Sequence, residues 1–521
     1  MIVRRVSARF KGGDLIVKTM IRRLTAVLLA FVLCVPAAAL ADLTAEEAVP
    51  SLPAEATGVR VKPQTKLISS GNPISAEFFC ADPTAVEYNG RLYVYGTNDH
   101  QQYIEKGANA ENTYERIKSF VIFSTEDMVN WTYHGIISTS LIAPWIIASW
   151  APSVISRVEE DGLTHFYLYF SNSGNGVGVL TATDPLGPWT DPLGHPLITP
   201  QTPGLTNCPQ PFDPGAVIDE NGVGWLSLGG GVAFGGTDEM PGTARIVRLG
   251  SDLLSFDSEF AEIPAPYFFE ASELNVIGDT YVYTYCTNWK GRTPWGREEP
   301  LPTTACMAYM TTKTPLDPES WVYRGECFRN PGMSGFEYSN NHTHMHKFKG
   351  QWYMIYHTMA LKKLMRIQGG YRSLCINPIE VDEAAAAIAV TGGTQRGIVE
   401  AVTPVDAMRE QDAAMRFDAA GLRSFGLGGP YSLEAGAWFG VRQVAFPEDA
   451  APAALLARVK GKGVIEVHTD ALNGETVARL AFDRGCVVRA EMLAEVTGIH
   501  DLYFVFAGAD LQLDAWQFAA E

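Results

Sequence analysis

Five times between residues 80 and 360, a short signature precedes an aromatic-rich β-type segment by a similar distance. Ala81-Asp82-Pro83 comes before 91–97 (RLYVYGT), Trp150-Ala151-Pro152 before 165–171 (HFYLYFS), and Phe212-Asp213-Pro214 before 224–229 (GWLSLG). Phe269-Glu270-Ala271 comes before 280–287 (TYVYTYCT), and Asn340-Asn341-His342 before 351–358 (QWYMIYHT). The interval is one strand plus a hairpin turn. Repeated four-stranded units of this kind read as propeller blades. If each signature opens the innermost strand of its blade, Asp82, Trp150, Asp213, Glu270 and His342 converge on one central channel.

Each aromatic segment has a later alternating partner, at 119–124, 176–183, 244–249, 305–311 and 371–376. Several of these run into a short Asp-turn closed by an aromatic, as in STEDMVNW at 124–131, TDPLGPW at 183–189 and SDLLSF at 251–256. An Ala-rich turn at 383–387 and a connector close the repeats, and short alternating stretches then run to the end of the chain. The expected fold is all-β: a five-bladed β-propeller over 73–392, a linker over 393–410, and a β-sandwich (jelly-roll) over 411–521. Residues 42–72 form an Ala/Pro/Thr-rich lead-in.

The formal charge is −18, and residues 1–41 carry seven Arg/Lys against one Asp, so the rest of the chain is more acidic still. That balance argues against nucleic-acid or anionic-membrane partners and suits a neutral ligand such as a polysaccharide. Residues 20–41 (MIRRLTAVLLAFVLCVPAAALA) have the arginines, short apolar run and small-residue end of a secretory signal peptide, cut after Ala41, with Met20 an alternative start. The expected location is therefore secreted or periplasmic, with no membrane contact after cleavage, and the expected state is a monomer. Seven cysteines remain, scattered and without CxxC spacing, which suggests neither a zinc site nor a disulfide framework; Cys286 and Cys306 lie on adjacent strands and can pair, while buried free thiols are the simpler expectation.

Cleaving a glycosidic bond takes two carboxyl groups, one protonating the leaving oxygen and the other activating water or attacking carbon. Asp82 and Glu270 are expected at equivalent positions of different blades, with Asp213 at the same level, where a like charge raises the pKa of a neighbouring acid. An Asp-Pro pair alone is more simply a turn; three carboxylates at matching positions favour chemistry. Glu273 is a rival acid three residues after Glu270. Alternation along an inner strand turns it to the opposite face.

With 81–86 (ADPTAV), 150–155 (WAPSVI), 212–217 (FDPGAV), 269–272 (FEAS), 340–342 (NNH) and 371–375 (YRSLC), the stretch 70–390 resembles glycoside hydrolase family 43, five-bladed propellers that remove arabinofuranose or xylose from plant polysaccharides. The resemblance implies an inverting mechanism with Asp82 as general base, Glu270 as general acid and Asp213 as pKa modulator and orienter. It places an aromatic where Glu273 stands. It also implies a calcium ion near a histidine such as His342, which can equally hold a water. Trp150 reads either as an apolar wall of the sugar pocket or as a core residue between blades. Arg372 reads as a contact to the acid or substrate, or as a structural ion pair. His344 and His346 share strand parity with His342.

The tail resembles carbohydrate-binding module family 6 through 436–441 (GAWFGV), 498–506 (GIHDLYFVF) and 513–518 (LDAWQF). Its loop 485–491 (GCVVRAE) lacks the usual stacking aromatic, Gln512 replaces an Asn, and Tyr431 and Trp438 remain as candidate contacts. The leading expectation is a secreted hydrolase releasing α-L-arabinofuranose from arabinoxylan or arabinan. β-Xylosidase and endo-arabinanase activities, a non-catalytic sugar-binding propeller and a retaining fructan-active enzyme are the alternatives, the last disfavoured by Ala81 before Asp82.

Overall fold

The computed structural model describes residues 43–44, 48–294, 298–426 and 428–520. The proposed leader at 20–41 lies outside the described residues. Among those described, strands dominate and helices are short, so the chain is all-β. The cysteines among the described residues are unpaired, Cys286 and Cys306 included, and all of these but Cys486 are buried.

Five antiparallel sheets follow one another along the chain. The first comprises Ala81–Tyr88, Arg91–Thr97, Phe120–Thr125 and Trp131–Ile137, and the second Trp150–Val158, Thr164–Ser171 and Val177–Ala182. The third comprises Gly215–Ile218, Gly224–Leu228, Arg245–Arg248 and Ala261–Glu262. The fourth comprises Phe268–Ile277, Thr280–Thr287, Met307–Thr312 and Val322–Phe328, and the fifth Thr343–Phe348, Gln351–Thr358 and Ser373–Ile379. The aromatic segments are the second strands, and each signature stands at the start of a first strand. Apolar residues alternate along the strands and both faces are covered, so each sheet shares a core with the next. Val154 and Tyr95 join sheets one and two, and Leu226 and Tyr169 join sheets two and three. Leu274 and Ile246 join three and four, Met345 and Val282 four and five, and Ile355 and Val94 bring sheet five back onto sheet one.

The recurrent Asp-turn is an Asx turn in every sheet. Asp127, Asp184, Asp252, Asp317 and Asp382 each accept on Oδ1 from the backbone N–H two residues on. This local bond ends one strand and reverses the chain at the same place in each repeat.

Beyond residue 398, two sheets share a second core that includes Phe439, Leu455, Ile465, Phe504 and Trp516. One is built around Ala454–Lys460 and Gln512–Ala519, the other around Ala437–Phe446 and Gly498–Phe506. Val405–Asp406 pairs with Val444 and Ala445, so residues before 411 already belong to this part. The segment after residue 43 lies along it too: Val49 pairs with Val488, Thr57 Oγ1 donates to Glu466, and Lys62 accepts from Trp438 Nε1.

Candidate active site

Four of the five first strands open with a left-handed residue, at Asp82 (φ 47°), Ala151 (φ 36°), Asp213 (φ 49°) and Ala271 (φ 61°). Such a conformation is uncommon for non-glycine residues and marks a functional constraint when it recurs. In each case the N–H is taken by a side chain of the preceding sheet. Asp82 N donates to His357 Nδ1 (3.2 Å), Ala151 N to Thr97 Oγ1 (2.8 Å), Asp213 N to Ser171 Oγ (2.8 Å) and Ala271 N to Asp213 Oδ2 (2.9 Å). The same device is thus used four times around the circuit, and it turns the first residues of each strand out of regular pairing.

Aligned on that device, Asp82 and Asp213 are equivalent to each other but not to Glu270, which stands one residue earlier, level with Trp150 and Phe212. This corrects the expectation that all three acids are equivalent. The offset has a chemical consequence: Asp82 and Asp213 are 5% and 4% exposed, whereas Glu270, Trp150 and Phe212 are half-buried and keep contact with solvent.

Asp82 is held ionised. Its Oδ1 accepts from Arg372 Nη1 at 2.8 Å, with His357 Nδ1 at 3.3 Å and His342 Nδ1 at 3.6 Å. Burial by itself raises a carboxyl pKa, but the Arg372 guanidinium, His357 and His342 together outweigh it and hold Asp82 far below the ordinary carboxylate range. His357 Nδ1 already accepts the Asp82 amide and its Nε2 lies 3.0 Å from the Asn340 carbonyl, which assigns the ring proton to Nε2. Arg372 is therefore the permanent cation bonded to the Asp82 carboxylate.

Glu270 is pushed the other way, to about 8, by burial first and then by the negative charges of Asp213 and Asp82. Asp213 is itself raised, by burial and the Asp82 charge, against the pull of His342. His342 is buried between the two aspartates, its Nδ1 3.9 Å from Asp213 Oδ2, and burial lowers its pKa despite their attraction. The site thus sets a protonated glutamic acid beside an ionised aspartate.

Glu273 is set apart from this group, but the reason differs from strand alternation. A bulge pairs Glu270 with Cys286 and Glu273 with Thr284, two residues apart, so both glutamates share one face. Glu273 is separated by its partner: it is buried and bonded to His344 Nδ1 at 2.8 Å, while His344 Nε2 lies 3.3 Å from His346 Nδ1.

Of the other sequence candidates, Trp150 is half-buried, with its ring edge-on to Tyr114 and its Nε1 donating to the Tyr114 carbonyl at 3.1 Å. Arg372 is 3% exposed and committed to the carboxylates of Asp82 and Asp99, so it stands as a buried ion pair. Calcium takes roughly six to eight oxygen ligands, and the residues around His342 do not fit it: Asp82 is committed to Arg372, and Asp213 to Ala271 and Ser171. Among the described residues, no group of three or more His, Cys, Asp or Glu is arranged to hold a metal. In the C-terminal part Trp438 is fully buried, which corrects its expected role as a sugar contact, and Gln512 is buried with Nε2 on Asp514.

Sequence reading missed Asp99, Tyr114, Ser171 and His357. The last two had a signal: with Thr97, they end the aromatic segments that reach the site. Two exposed aromatics, Trp289 and Tyr338, lie close in sequence to site residues and pack edge-to-face with centroids 5.4 Å apart. Trp289 follows the strand whose end pairs with Glu270, and Tyr338 precedes Asn340.

The model of the family described as Glycosyl hydrolases family 43 matches residues 70–384. An arabinoxylan arabinofuranohydrolase of Bacillus subtilis is 35% identical over 488 residues, covering 87% of this chain and 93% of that protein. An enzyme of the same description from Paenibacillus polymyxa is 34% identical, covering 88% of this chain and 75% of its own. A crystal structure of a family 43 arabinoxylan arabinofuranohydrolase from Bacillus subtilis, in complex with cellotetraose, superposes with a TM-score of 0.80 at 32% identity, covering 89% of this chain and all of that one.

Proposed function

Because the chain belongs to glycosyl hydrolase family 43 and is a glycoside hydrolase, we propose that it removes α-L-arabinofuranosyl side groups from arabinoxylan with inversion at the anomeric carbon. The observation that carries this reading is the opposite protonation of two carboxyls at one opening, Asp82 ionised by Arg372 and Glu270 protonated by burial and like charge. The relatives' substrate supplies the sugar and the polymer.

In the proposed reaction, Glu270 gives its proton to the glycosidic oxygen as the bond from that oxygen to the anomeric carbon breaks. Asp82 accepts a proton from a water that attacks the same carbon from the opposite face. The products are arabinose of inverted configuration and a free hydroxyl on the xylan. Glu270 ends ionised and Asp82 protonated, and exchange with solvent restores both. Asp213 keeps Glu270 protonated and fixes the adjoining amide of Ala271, while Trp150 offers an apolar face to the sugar.

The five sheets, with their closed circuit of shared cores, are read as blades of a propeller, and the C-terminal sheets as a β-sandwich. Export through residues 20–41 and action as a monomer belong to the same reading. The test is arabinose release from arabinoxylan, with the anomer followed by NMR in the first minutes. Release of the inverted anomer that collapses in Glu270→Gln supports the proposal; a retained anomer, or release of xylose alone, overturns it.

A further inference from the structure

Asp99 is wholly buried at the start of the short helix Asp99–Lys106, outside every signature in the chain. Its carboxylate takes Arg372 by one edge of the guanidinium: Nε donates to Oδ2 and Nη2 to Oδ1, both at 2.9 Å. The backbone N–H of Arg372 also reaches Oδ2 at 2.9 Å, and Asn112 Nδ2 donates to it at 2.8 Å. The Tyr114 ring lies against the guanidinium, with its centroid 4.7 Å from Cζ. A guanidinium is a rigid planar fork. Fixing Nε and Nη2 on one carboxylate, with an aromatic ring against the group, leaves Nη1 pointing away from Asp99, and there it meets Asp82 Oδ1 at 2.8 Å.

Resting on the reading of Asp82 as the base, we propose that Asp99 is a positioning residue for hydrolysis: it holds Arg372 in the orientation that places and charges the Asp82 carboxylate. Asp99 touches neither the opening nor the reacting atoms, so its action is entirely through Arg372. An asparagine at 99 keeps the shape but offers only one acceptor edge, and its amide N–H₂ faces an Arg N–H. The fork then turns, and Asp82 is left with His357 and His342 as its near cationic or neutral partners and with Asp213 and Glu270 as its acidic ones.

The test compares wild type, Asp99→Asn and Asp99→Glu between pH 4 and 9 on a nitrophenyl glycoside that the wild type cleaves, with melting curves to establish folding. For Asp99→Asn, kcat is expected to fall roughly a hundred-fold, the scale of an ångström misplacement in a catalytic site, with KM within about threefold. An acid limb absent from the wild-type profile is expected to appear, and the alkaline limb to stay in place. Asp99→Glu, which keeps the charge, is expected to recover part of the loss. In an Asp82→Ala background, where the positioned group is gone, Asp99→Asn is expected to add no further loss.

Unchanged kcat, a loss without the new acid limb, or losses that multiply in the double variant would overturn the proposal. If Asp99→Asn does not fold, Asn112→Ala removes one support of Asp99 and is expected to give a smaller loss with the same limb; an unchanged profile there overturns it equally. Cleavage of a xyloside but no arabinofuranoside would sink the proposed sugar while leaving this test readable. Were no glycoside cleaved, carboxyl NMR titration of Asp82 in the folded variants decides the coupling, an unmoved titration being the adverse result.

Discussion

The backbone N–H of Ala271 donates to Asp213 Oδ2 at 2.9 Å, so the residue beside Glu270 is fixed by the carboxylate whose charge, after burial, does most to raise the pKa of Glu270. Asp213 therefore acts on the acid twice, through the main chain and through its field. Removing its charge separates the two actions.

In Asp213→Asn the pKa of Glu270 is expected to fall from its raised value, because burial remains but a neighbouring negative charge is gone. In the proposed mechanism Glu270 works protonated, so wild-type kcat/KM should decline as pH rises through about 8. In the variant that alkaline limb should move towards neutral pH, along with an overall loss of rate. A pH–rate profile of the two proteins checks this.

Glu270→Gln is expected to make the protein more stable at pH 7 while abolishing hydrolysis. A glutamate raised in the folded state holds a proton that the unfolded chain releases above its ordinary pKa, so stability falls as pH climbs from that value to about 8. Glutamine removes the penalty. A rise in Tm of about 2–4 °C at pH 7, the scale of ~1 kcal/mol in a large domain, should vanish near pH 4. Calorimetry at both pH values reads it.

Trp289→Ala should separate polymer from small substrate. The Trp289–Tyr338 pair stands exposed just beyond the strand end that pairs with Glu270, and an aromatic face contributes about 0.5–1.5 kcal/mol to a stacked partner. The expectation is a three- to tenfold lower kcat/KM on arabinoxylan, about that energy, with nitrophenyl arabinofuranoside nearly unaffected. Parallel kinetics on the two substrates decide it.

A chain ended near residue 398 is expected to be insoluble or to melt well below the full protein. Met415 and Arg416 pair with Thr132 and Trp131 as a fifth strand of the first sheet, Arg416 Nε reaches Glu77 at 2.6 Å, and Asn130 exchanges hydrogen bonds with the Arg442 backbone. The full chain should unfold in one calorimetric transition. Two separate transitions would show that these links contribute little.

Trp438→Ala should lower stability by about 3–5 kcal/mol, the range for emptying a large aromatic site. The ring is fully buried beside Tyr503, and its Nε1 is bonded to the Lys62 carbonyl. Denaturant melts measure this; weaker binding to xylan with unchanged stability would contradict it.

Much of this protein is written locally. The second strands, the Asx turns and the opening signatures are sequence-near features, set by alternation and by Asp side chains bonding two residues on, so the five repeats and their acids could be read directly. Their long-range partners could not. Asp99 meets Arg372 across more than 270 residues, and no spacing announces that pair. The extra residue between Glu270 and Glu273 puts both on one face against the alternation of the strand, because a bulge changes which face a side chain takes without altering its neighbours in sequence. Sequence by itself determined which residues could do acid–base chemistry and in what order they arrive. Tertiary structure decided which acid is charged and which is neutral, because that depends on burial and on charges brought together from different sheets.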